Sequence, residues 1–96
     1  MKEIADKVGG LDVHRDTVVA CTRVREPDGM VTLSKETFNT TRKGLEDLAR
    51  FLIDAGVSTV VMEATGVYWK PVVRHEAPSN QEEMKGLLLR AVAAAR

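Results

Sequence analysis

The chain has 96 residues, enough for one domain that buries roughly 60–70% of its unfolded surface. Apolar residues make up 44% and charged residues 29%, which excludes a disordered polar tail and a membrane protein. Fourteen Lys plus Arg balance fourteen Asp plus Glu, so this is no basic nucleic-acid glove, and the single cysteine, Cys21, excludes an intrachain disulfide or a multi-Cys zinc site.

An apolar run from Val8 to Val13 ends in the polar triplet His14-Arg15-Asp16, and a second run, Thr17 to Arg25, follows at once. Two strands joined by a tight turn fit this pattern. The second run alternates toward its end, with Thr22 and Val24 on one face and Arg23 and Arg25 on the other. Pro27-Asp28-Gly29 has turn chemistry and leads into a third, antiparallel strand from Met30 to Asn39. Thr40-Thr41 offers a hydroxyl cap before Leu45, Leu48, Ala49 and Leu52, which share one helix face; Gly56 is the stop signal, and a helix over Arg42 to Ala55 is predicted.

Val57 to Met62 is nearly all apolar and rich in valine, as suits a strand buried on both faces beside a crossover helix, and Glu63 closes it. A loop follows from Ala64 to Lys70, then a short helix starting at Pro71 and ended by Pro78. Ser79 to Glu83 has capping-box spacing, and Met84, Leu87, Leu88, Ala91, Val92 and Ala95 form the stripe of a last helix reaching nearly to Arg96. Three antiparallel strands, a helix, a strand parallel to the first and further helices are the opening of an α/β, RNase H-like mixed sheet.

Asp12 sits in the first strand and Glu63 ends the fourth. A carboxylate closing an apolar strand is costly unless paired, hydrated or bound to a cation. If the two strands are neighbours, the acids can share Mg²⁺, which is held by one or two carboxylates, waters and a substrate phosphate. That chemistry is phosphodiester cleavage or transfer. The competing reading gives Asp12 to a turn and Glu63 to a cap, and spacing alone favours that reading.

Other residues support two readings each. Asp16 either backs the acidic site or stabilises its turn; His14 binds metal or phosphate, or is an ordinary turn histidine; His75 has no evident ligand partner. Cys21 reads as a small core residue with an inert thiol. Thr40, Thr41, Arg42 and Lys43 put two cations in a helix's first turn, against its dipole, so either phosphate or solvent compensates them. Tyr68 and Trp69, followed by Lys70, either contact a nucleotide or serve packing. With four aromatics in all, a base-stacking platform has little material.

Three segments carry a family resemblance: Gly10 to Cys21, Phe38 to Thr41 with Gly44-Leu45, and Val60 to Val72 with its Glu63-Ala64-Thr65-Gly66-Val67-Tyr68-Trp69 core. Over residues 8 to 74 the chain resembles the N-terminal part of the DEDD-type insertion-sequence transposases, which include the bridge-RNA-guided DNA recombinases. The resemblance implies a RuvC-like domain in which Asp12 and Glu63 are the first two of four acids at a Mg²⁺ site. It further implies DNA as substrate, possible use of a guide RNA, and a separate serine-bearing domain as collaborator. Thr41, Arg42, Lys43, Tyr68, Trp69 and Lys70 are the nucleic-acid contact candidates.

After His75 the resemblance fades, and neither a D-x-x-D pair nor the serine domain is seen. Residues 1–75 are thus expected to be a partial RuvC-like domain, C-terminally truncated, and residues 76–96 a divergent helix. Glu82 and Glu83 do not match the missing pair, and capping or solvent-face roles explain them. The expectation is a transposase fragment with weak or absent Mg²⁺ binding, inactive alone. The alternative is a non-catalytic interaction or dimerisation module, a possible homo-oligomer, using an open edge at the fourth strand and the last helix. A sugar-kinase or actin-like ATPase fragment is a third class, disfavoured because Val13-His14-Arg15 stands where glycines would approach phosphate. No apolar run approaches a membrane span and the first residues are too charged for a signal peptide, so a cytoplasmic location is expected.

Overall fold

The β-rich first half closes on itself through tight turns. In the computed structural model, which describes residues 6–64 and 73–95, β1 (Lys7–Val13) turns directly into β2 (Thr17–Arg25), with the His14 N–H donating to the Thr17 carbonyl at 2.8 Å. Gly29, at φ 91°, lets the next turn deliver β3 (Val31–Asn39) antiparallel to β2 in unbroken register. Helix α1 (Arg42–Ala55) starts at Thr41, whose hydroxyl accepts from the Gly44 N–H at 3.1 Å, and stops at Gly56, at φ 70°.

Helix α1 returns the chain to β4 (Thr59–Ala64), which lies parallel to β1. β5 (Val73–Glu76) then pairs antiparallel with β4, and α2 (Gln81–Ala95) ends the chain. The sheet order is β3-β2-β1-β4-β5. Asn80 caps α2, its side-chain oxygen accepting from the Glu83 N–H at 2.8 Å.

Both helices lie on one face. Leu45, Leu48, Leu52, Met84 and Leu88 are fully buried there against Leu11, Val18, Ala20 and Val60. Gly9 admits the helix closely: a Cβ there would meet Leu52 Cδ2 at 2.9 Å. Gly44 is tighter still, since a Cβ would run into the Asn39 carbonyl, so the helix start is pressed onto the end of β3. Gln81 and Lys85 of α2 bond to Glu46 of α1, at 3.3 Å in each case.

Five expectations need correction. Residues 73–76 form a strand, where a helix between Pro71 and Pro78 was predicted; the ladder with β4 outweighs the proline signal. β4 begins at Thr59 and runs through Glu63 to Ala64. It is buried on one face only, Val60 and Met62 facing the helices while Glu63 is exposed. Its outer edge is not open, because β5 covers it. Finally, Cys21 is exposed, on the same side of β2 as Arg23, because the parity that buries Ala20 and Thr22 turns it to the face opposite α1 and α2. Residues 65–72, with the Ala64-to-Lys70 loop and Pro71, fall outside the described residues apart from Ala64.

Candidate metal and nucleic-acid site

Alternation along β1 and β4 builds the site. Leu11, Val13 and Met62 are buried on the helix side, so Asp12 and Glu63, one residue out of step with them, project from the other face. Asp12 and Glu63 are Cα partners in the parallel ladder, which sets them side by side near the carboxyl ends of two adjacent parallel strands. In open α/β sheets that end is where ligands bind. The Asp12 side chain is half exposed, and His14 Nε2 lies 3.6 Å from its Oδ2. Two hard carboxylate oxygen donors on one face are a donor set that fits Mg²⁺. Among the described residues no group of three or more His, Cys, Asp or Glu side chains is gathered as a metal cluster.

Asp16 lies in the turn after β1, where its carbonyl accepts the Thr40 N–H at 3.0 Å and the Arg15 carbonyl accepts the Thr40 hydroxyl at 3.3 Å. These bonds hold the start of α1 at the same end of the sheet as the two acids. Thr41 is occupied as the helix cap, and the Lys43 ammonium meets Asp47 at 2.7 Å, so an acid four residues on compensates one of the two cations. Arg42 is exposed in the first turn. Tyr68, Trp69 and Lys70 lie outside the described residues.

Glu82 and Glu83 are not brought to the acids. They start α2, whose buried stripe lies in the core on the helix side, and Lys85 Nζ stands 3.9 Å from Glu82. His75 is the register partner of the buried Val60 and so also belongs to the helix side.

Two cations on the acid face escaped sequence reading. Lys35 pairs with Cys21, Cys21 with Gly10, Gly10 with Val61 and Val61 with Arg74, so Lys35 and Arg74 flank the row next to Asp12 and Glu63. Strand alternation in Val73-Arg74-His75-Glu76 was the available signal for Arg74, masked by the neighbouring prolines.

A mixed sheet in this order, with acids paired at the ends of β1 and β4, is compatible with the RNase H-like domain of DEDD transposases. The family model of DEDD transposases of the IS110 type, described as a transposase, matches residues 9–92. The chain belongs to this transposase family, which gives it a role in DNA transposition with DNA as the substrate class. The match includes most of α2. No curated protein and no solved structure matches the chain. Among the described residues no helix is long and apolar enough to cross a membrane.

Proposed function

We propose that Asp12 and Glu63 are two carboxylate ligands of a Mg²⁺ site that acts on a DNA phosphodiester during transposition. The observation that carries this is their pairing in the β1–β4 ladder, on the face that no helix of the described chain covers. When bound, a divalent ion supplies Lewis-acid polarisation of a phosphate group. Asp12 and Glu63 would fix its position, leaving sites for water and phosphate oxygens. Lys35 and Arg74 would draw the DNA backbone onto the acid face, where two carboxylates alone would repel it. Arg42 and Lys43 would take a second stretch of backbone at the start of α1, with Thr41 holding that turn in shape. Tyr68, Trp69 and Lys70 are assigned to nucleic-acid contact, and a guide RNA to target choice, on the family resemblance.

Two carboxylates are too few for two-metal phosphoryl transfer. The chain by itself is therefore proposed to bind the ion weakly and to transfer no strand. Mn²⁺, used as a paramagnetic probe, should broaden NMR resonances around Asp12 and Glu63, and Asp12→Asn or Glu63→Gln should remove the broadening. Unchanged broadening in both variants would rule out the metal assignment. Robust DNA cleavage by the chain alone, lost in Asp12→Ala, would overturn the proposed inactivity.

A further inference from the structure

β3 ends the sheet on the side away from β5, and all of its nine residues except Phe38 are exposed. A strand of this length at an edge is a template for pairing with another strand. Its ladder with β2 is bracketed by the Glu26 N–H donating to the Met30 carbonyl and the Thr40 N–H donating to the Asp16 carbonyl, at 2.7 and 3.0 Å. Hydrogen-bonded pairs recur at every second position. The even-numbered residues of β3 therefore bond inward to β2, and Val31, Leu33, Lys35, Thr37 and Asn39 turn their backbone groups outward.

The two ends of this edge are chemically unlike. Its beginning carries exposed apolar side chains, with Met30 at 65% exposure, Val31 at 39% and Leu33 at 74%. Its far end borders a groove of about 420 Å³ against α1, where Phe38 and Phe51, ring centroids 5.4 Å apart, lie among charged residues that include Glu36, Lys43, Asp47 and Arg50. Antiparallel pairing of two identical strands brings the beginning of one to the end of the other.

We propose that β3 pairs antiparallel with β3 of a second copy of this chain, about a two-fold axis at Ser34, joining both sheets into one. A two-fold axis normal to the sheet preserves its faces, so opposed residues share parity and the axis must pass a residue. An axis at Lys35 would oppose two ammonium groups, and one at Glu36 two carboxylates, each destabilising. An axis at Leu33 would set Met30 against a carboxylate, Glu36 of the partner subunit. The axis at Ser34 opposes Leu33 to Lys35, Val31 to Thr37, Thr32 to Glu36 and Met30 to Phe38, with no like charges facing. Each copy's Met30 then lies on the helix side, over the partner's Phe38 and Phe51, where a thioether packs well on aromatic rings. On the other face Leu33 covers the alkyl stem of Lys35. The pairing is independent of the metal assignment.

Sedimentation of the full chain over a hundredfold range of concentration should show a monomer giving way to a dimer. Lys35→Pro removes an outward N–H without touching the β2 ladder, and Met30→Glu removes the side chain that fills the groove. Each should hold the chain monomeric with an unchanged circular-dichroism spectrum. In a Cys21→Ser background, Ser34→Cys should form an intermolecular disulfide on mild oxidation. A non-hydrogen-bonded pair on the axis has Cα atoms about 4.5 Å apart, within disulfide reach. Thr32→Cys, displaced from its own copy, should not cross-link. A monomer at every concentration, a dimer indifferent to both Met30→Glu and Lys35→Pro, or cross-linking at position 32 in place of 34 would overturn the proposal.

Discussion

Asp12 and Glu63 stand opposite one another on adjacent parallel strands, although a hairpin, a third strand and a helix separate them in sequence. Helix α1 makes this possible by carrying the chain back under the sheet, so that β4 enters beside β1 in the same direction. The energetics of the α1 junctions therefore decide whether the acids meet.

Gly44 sets the tightest of these junctions. Gly44→Ala would drive its Cβ into the Asn39 carbonyl and should destabilise the fold by roughly 1–3 kcal/mol in urea titration. Gly10→Ala is the control: its Cβ would lie 4.0 Å from the Cys21 carbonyl oxygen, and the change should stay within about 0.5 kcal/mol. Equal effects would contradict the packing of α1 onto β3.

The Thr41 hydroxyl caps α1 through the Gly44 N–H. Thr41→Ala should lower stability by about 1 kcal/mol and Thr41→Ser should recover most of it, read from the urea midpoint. Lys43→Ala, which breaks only an exposed pair with Asp47, should change stability by less than about 0.5 kcal/mol. If DNA binding falls in Lys43→Ala while stability holds, that cation contacts nucleic acid.

Helix α2 shares one core with the rest of the chain. Leu88→Ala should cost about 2–5 kcal/mol, as should Leu48→Ala on α1, both side chains being buried. Fluorescence and circular dichroism should report a single unfolding transition in each variant. A separate early melting of α2 would show that its packing is not part of the cooperative unit.

Cys21 is exposed on the sheet face opposite α1 and α2. Its thiol should react with a disulfide reagent in the folded protein at close to the rate seen in denaturant. Protection by orders of magnitude would place it in the interior.

The elements with a clean period were legible in the chain itself. Helix α1 has its apolar residues on one face, a hydroxyl before it and a glycine after it, and its limits follow from those local signals. The β1–β2 and β2–β3 turns were legible for the same reason, since proline, aspartate and glycine act through the backbone of their immediate neighbours. The parity of β2 was also present: Cys21 is in step with Arg23, not with Thr22, yet the run of small apolar residues before it hid the alternation. β5 was not legible, because Val73 to Glu76 is short, flanked by prolines and defined by pairing to β4 and not by any local preference. The residue types at Asp12 and Glu63 suggested metal chemistry, but only the parallel register made them neighbours, and only the placement of α1 and α2 on one side left Lys35 and Arg74 with them on a face that no helix of the described residues covers. Local backbone and capping forces act over a few residues and are written along the chain; strand pairing and helix placement are choices among distant partners, settled by which arrangement buries Leu48, Leu52, Val60 and Leu88 together.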